Sequence, residues 1–88
     1  MLQPVYLRQF ERDIKLAIKR SKDMSLLKDV ITLLLASKPL PSKNRNHKLK
    51  GDFKDCWECH IEPDWLLIYR KTGTEIILVR TGTHSDLF

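Results

Sequence analysis

The apolar positions change period several times along the chain, and each change marks an element. Leu2, Val5 and Leu7 sit in a short N-terminal run that predicts a first strand, and Pro4 assigns that strand to a sheet edge. From Arg8 the spacing becomes helical. Phe10, Ile14, Ala17 and Ile18 form one stripe, with Glu11, Arg12, Lys15, Lys19 and Arg20 on the other side. The polar stretch 20–23 interrupts this pattern. A second helix follows, capped by Asp23 or Ser25, carrying Leu26, Leu27, Val30, Ile31, Leu34 and Leu35, and stopping before Pro39. The short polar break predicts a helical hairpin.

Beyond the hairpin the texture is different. Residues 38–51, KPLPSKNRNHKLKG, hold Lys38, Lys43, Arg45, Lys48 and Lys50 with no acid among them, and read as a basic loop ending at Gly51. Strand-like runs then cover 53–61, 65–70 and 75–81, separated by Glu62-Pro63-Asp64 and Lys71-Thr72-Gly73-Thr74. Those short turns predict an antiparallel meander. Residues 83–88 read as a polar tail closing on Leu87 and Phe88. The expected fold class is α+β: a short N-terminal strand and a two-helix hairpin packed on one face of an antiparallel three- to four-stranded sheet.

Length and charge narrow the function. With 88 residues the chain suits a single domain, 1–88, with a small core. It lacks an apolar run of the roughly 20 residues that cross a membrane, and lacks a signal-like N-terminus, so a cytoplasmic protein is expected. The net charge of +5 points to a polyanionic or acidic partner.

Residues 56–60, CWECH, match the C-x-x-C-H spacing of covalent haem attachment. Their setting argues otherwise. On a strand, alternation sends Cys56, Glu58 and His60 to one face and Trp57, Cys59 and Ile61 to the other, so the thiols cannot share one porphyrin or one disulfide. Reduced thiols are expected, one packed and one at the surface. The histidine is more informative. His47, His60 and His84, with Asp64 and Arg80, make up the parts needed to cleave RNA without a metal. An imidazole takes the proton of a ribose 2′-OH, a second acid protonates the leaving 5′-oxygen, and a guanidinium meets the developing charge. A metal-binding set is disfavoured because the histidines lack a tight H-x-x-x-H or H-x-H spacing.

Two segments carry a resemblance: His60-Ile61-Glu62-Pro63-Asp64-Trp65 through Tyr69, and Arg80-Thr81-Gly82-Thr83-His84 through Phe88. Together with Lys22-Asp23-Met24, Leu40-Pro41 and His47-Lys48-Leu49-Lys50-Gly51, they resemble the YafQ branch of the RelE/ParE toxin superfamily over essentially the whole chain. The resemblance implies an antitoxin-controlled endoribonuclease of microbial RNase fold, acting on mRNA in the ribosomal A site without a cofactor. By position it assigns His47, His60, Asp64, Arg80 and His84 to catalysis, leaving open which histidine is base and which is acid, and places Trp65 and Phe88 near the site. Lys43, Arg45, Lys48 and Lys50 are expected to contact phosphates of mRNA or of the 70S ribosome. The implied partners are a cognate antitoxin, the ribosome and mRNA. A non-catalytic ParE-like toxin binding DNA gyrase is the alternative, and it gives the histidine set no task.

Overall fold

A computed structural model describes all residues, 1–88. The elements in chain order are β1 (Gln3–Tyr6), α1 (Arg8–Lys19), α2 (Met24–Leu35), β2 (His47–Lys48), β3 (Trp57–Glu62), β4 (Trp65–Lys71), β5 (Glu75–Gly82) and α3 (His84–Leu87). Single 3-10 turns cover Ser42–Asn44 and Gly51–Phe53. The strands form one sheet in the order β1-β5-β4-β3-β2. Strands β3, β4 and β5 are the expected antiparallel meander. The sheet is wider than expected, because β1 joins β5 in parallel and the basic loop supplies β2 as an outer strand on β3. Both additions are edge strands, and Pro4 in β1 fits that position.

The helices form where the apolar spacing predicts, with one exchange on α1. Phe10, Asp13 and Ala17 are buried while Ile18 is exposed, so the inward stripe runs through 10, 13, 14 and 17 at helical spacing. Helix α2 begins at an Asp23 cap, whose carboxylate accepts from the Ser25 N–H at 3.0 Å and the Ser25 hydroxyl at 2.6 Å. Both helices pack on one sheet face. Their core joins Phe10, Leu27, Val30 and Leu34 to Cys59, Trp65, Leu67, Tyr69, Ile76 and Leu78.

The other face holds a second, smaller core of Cys56, Leu66, Ile68 and Leu87, roofed by Leu49, Phe53 and Val79. The alternation of CWECH is therefore confirmed, with Cys56 and Cys59 in different cores. The expected surface thiol is corrected, since both cysteines are free and buried. The residues expected as a polar tail form α3 instead. Thr83 Oγ1 accepts from the Asp86 N–H at 3.1 Å while the Asp86 carboxylate accepts from the Thr83 N–H at 2.9 Å, and this capping box presses Leu87 into the second core.

Two bulges re-aim side chains near the ends of the strands. Ile61 is an extra residue in β3, between the pairs His60–Leu66 and Glu62–Trp65. Val79 is an extra residue in β5, between Arg80–Ile68 and Leu78–Tyr69. Such bulges bend a strand and change which way its next side chain faces.

Candidate active site

The second-core face carries the histidines. Strand register aligns His47 with Glu58, Glu58 with Ile68, and Ile68 with Arg80, in one row across the sheet. His60 lies two residues further along β3 on the face of Glu58. His84 is the first residue of α3, and Asp64 sits in the turn between β3 and β4. The three rings stand in a line, His47 to His60 at 6.4 Å and His60 to His84 at 5.9 Å between centroids.

Each imidazole has a carboxylate. His84 Nδ1 and the His84 backbone N–H both donate to Asp64 Oδ1, at 2.5 and 2.8 Å. A carboxylate can only accept, so Nδ1 carries the hydrogen and Nε2 is left free for proton transfer. These hydrogen bonds from His84 hold the Asp64 carboxyl below its ordinary range, so it is ionised at neutral pH. The other two imidazoles share one acid. Glu58 Oε1 lies 3.5 Å from His47 Nε2 and 3.5 Å from His60 Nε2, with only 7% of the Glu58 side chain exposed. His47 Nδ1 donates to the Arg45 carbonyl at 2.7 Å, which leaves Nε2 as the nitrogen facing Glu58.

The basic loop is tied to this line. Asn44 is buried and donates through Nδ2 to the His60 carbonyl at 2.7 Å. Asn46 Oδ1 accepts from the Tyr69 hydroxyl at 2.7 Å. Between them Arg45 takes a left-handed backbone, φ 46°, which turns the chain so that His47 enters β2 beside Glu58. Burial and the neighbouring Cys59 push the Tyr69 hydroxyl up to about 12, leaving it a fixed donor to the loop.

The expected site residues divide into three groups. His47, His60, His84 and Asp64 come together. Arg80 is drawn elsewhere: Nε and Nη2 donate to Asp13 on α1 at 2.8 and 3.2 Å, and Asp13 also accepts from the Thr81 N–H at 3.1 Å. This pairing follows from topology. Strand β1 ends opposite Leu78, so the edge of β5 beyond it is open, and the Asp13 carboxylate fills it. Trp65, expected beside the RNA, is in the helix-side core at 1% exposure. Alternation along β4 places it with Leu67 and Tyr69, and its indole N–H donates to Thr81 Oγ1 at 2.9 Å. Of the expected RNA contacts, Lys43, Arg45, Lys48 and Lys50 are exposed, although the Lys48 ammonium lies 5.6 Å over the Trp57 ring. Phe88 is 65% exposed and stands edge-on to Phe53.

Sequence reasoning missed Glu58 as a site residue. Its signal was present, since alternation put it on the face of His60, but the pairing with His47 needs β2, which a loop rich in Lys and Asn conceals. Asp86 was missed as well. It caps α3 and receives Arg20 Nη1 and Nη2 at 2.6 and 3.1 Å, which ties the His84 turn to the end of α1. No group of three or more His, Cys, Asp or Glu side chains is arranged to hold a metal ion.

Known proteins share this sequence pattern and fold. A family model described as the bacterial YafQ toxin of type II toxin–antitoxin systems matches residues 2–88. The mRNA interferase toxin YafQ of Escherichia coli K12 is 46% identical over 84 residues, covering 94% of this chain and 91% of that protein. The crystal structure of YafQ from E. coli BL21(DE3) superposes with a TM-score of 0.95 at 43% identity, covering 100% of this chain and 99% of the other. In the E. coli DinJ–YafQ complex, the matching chain gives 0.92 at 44% identity over 100% and 99%. On this agreement of sequence and fold, the chain belongs to the YafQ family of type II toxin–antitoxin toxins.

Proposed function

We propose that the protein is an endoribonuclease that cuts mRNA in the ribosomal A site, using its own side chains for both proton transfers. The observation that carries this reading is the line of imidazoles, in which one buried carboxylate serves His47 and His60 and a second serves His84. In the reaction, the ribose 2′-oxygen attacks the adjoining phosphorus. The O2′–P bond forms, the P–O5′ bond breaks, and the products are a 2′,3′-cyclic phosphate and a free 5′-hydroxyl. The pair His47 and His60 supplies the base, with Glu58 holding their Nε2 atoms at one point and stabilising the proton they accept. His84 supplies the acid: ionised Asp64 orients the ring through Nδ1, and the imidazole gives a proton from Nε2 to the 5′-oxygen.

The reading agrees with the relative named an mRNA interferase. It assigns the exposed Lys43, Arg45 and Lys50 to phosphate contacts, and Phe88 to an RNA base or to the wall that steers one. Trp65 becomes a packing residue and Arg80 a cation shared with Asp13. The cognate partner is an antitoxin, by analogy with the E. coli DinJ–YafQ toxin–antitoxin complex. No helix is long and apolar enough to cross a membrane.

The test is end mapping on 70S ribosomes carrying a defined mRNA. Wild type is expected to yield a discrete new end at the A site, and His84→Ala and His60→Ala to lower its rate by at least about 10²-fold each. Wild-type rates in both variants would remove the imidazoles from the chemistry. Intact mRNA together with inhibited DNA supercoiling would favour the gyrase-binding alternative.

A further inference from the structure

A groove leaves the histidine line at His60 and runs between the Lys43–Arg45 turn and the end of β3. Its first lobe, about 560 Å³, is lined by His60 and by Leu26, Lys43, Arg45, Ile61, Glu62 and Pro63. That volume is in the range of small-ligand sites. A second lobe, about 240 Å³, continues from it and shares Leu26, Lys43 and Ile61 before reaching Val30, Leu33 and Pro41. The groove is built rather than incidental. The buried Asn44 pins the turn to the His60 carbonyl, and the left-handed Arg45 places its carbonyl on His47 Nδ1, so the rim and the proton-transfer line move as one. Leu26 belongs to the apolar stripe of α2 by spacing, yet 37% of it is exposed, on this wall.

We propose that this groove seats the nucleotide next to the scissile phosphate, an inference that rests on the RNA-cleaving reading above. The base lies against Leu26, Ile61 and Pro63, which offer apolar surface to either ring face. Its phosphate lies between Lys43 and Arg45. Glu62 gives the subsite its preference. Its carboxylate is partly exposed and engaged by Lys22 at 3.3 Å, and it accepts hydrogen bonds only. Adenine, cytosine and guanine each present an exocyclic amino group to such an acceptor, whereas uracil offers only its N3–H, flanked by two carbonyl oxygens that the carboxylate repels. The groove therefore takes an amino-bearing base in preference to uracil.

The test uses the free full-length protein and 2′-O-methyl trinucleotides, which cannot be cleaved, followed by ¹⁵N NMR titration. Binding is expected to shift the amides of Leu26, Arg45, Ile61 and Glu62, with adenine-containing ligand held at least fivefold more tightly than the uracil counterpart. Glu62→Gln should shrink that ratio below twofold. Leu26→Glu, at an exposed position, should weaken all ligands at least fivefold while the spectrum stays folded. Shifts confined to the His47 and His84 side, unchanged affinity in Leu26→Glu, or no binding at millimolar ligand would each overturn the proposal. Because no ribosome or cleavage enters this assay, a positive titration with no ribosomal cleavage would retain the groove and discard the catalytic reading.

Discussion

Replacing Asp13 by alanine strands several donors at once. The carboxylate, 7% exposed, accepts from Arg80 Nε and Nη2, the Thr81 N–H and Gln9 Nε2. The Thr81 N–H is buried and would lose its partner, at a cost of about 1–3 kcal/mol. Stranding a fully buried charge costs about 3–5 kcal/mol, but the Arg80 side chain is 25% exposed and water reaches part of the guanidinium, so its share falls to about 1–2 kcal/mol. The sum is about 3 kcal/mol. For a domain of this size each kcal/mol lowers Tm by about 4–8 °C, so Asp13→Ala should melt about 12–24 °C below wild type. Urea unfolding followed by tryptophan fluorescence would give the free energy directly, and Arg80→Ala with the double variant would complete a cycle. A loss below about 1 kcal/mol, or a coupling energy near zero, would refute the claim that this pair closes the open edge of β5.

Three further outcomes follow from the same structure. Glu58→Gln keeps the shape between His47 and His60 but removes the charge, so single-turnover cleavage should slow about 10²-fold with unfolding unchanged; a rate within twofold of wild type would show that the carboxylate is idle. The Asp86 carboxyl is held far below its ordinary range, first by the Arg20 guanidinium and then by the Thr83 N–H, so its stabilisation is complete above about pH 4 and is lost as the pH falls toward the depressed folded value. Urea midpoints between pH 5 and 2 should therefore fall more steeply for wild type than for Asp86→Asn, and parallel acid limbs would contradict the assignment. Burial pushes the Cys59 thiol up to about 12 and raises that of Cys56, so thiol-reagent labelling at pH 8 should proceed only as fast as the protein unfolds; rapid labelling of the native state would show that a core is open.

Local periodicity carried much of this architecture. The Phe10–Ala17 stripe, the Asp23 cap and the opposite facing of Cys56 and Cys59 are set by residues within a turn or a strand of one another, and all appear as expected. What stayed hidden depends on distant partners. The parallel pairing of β1 with β5 joins residues some seventy positions apart, and β2 exists only because Glu58 and Trp57 offer it an edge. The same division runs through the site. His47, His60, Asp64 and His84 could be singled out as candidates, because imidazole and carboxylate chemistry is a property of residue type, and the structure places them side by side. Glu58 and Asp13 could not be singled out, because an acid in an amphipathic segment reads as solvated until a neighbouring element covers it. The α3 cap is the exception: Thr83-x-x-Asp86 is a local capping-box pattern, and it was available in the sequence alone.

Under the proposed function, the imidazole line drives attack by the ribose 2′-oxygen. This is tested most directly by placing a single 2′-deoxynucleotide on the 5′ side of the mapped cleavage point in an mRNA bound to 70S ribosomes. Loss of this one oxygen should abolish cleavage there, and the all-ribose message should yield a 5′ fragment ending in a 2′,3′-cyclic phosphate. Undiminished cleavage of the deoxy-substituted message, or a 5′ fragment ending in a free 3′-hydroxyl, would contradict this reading.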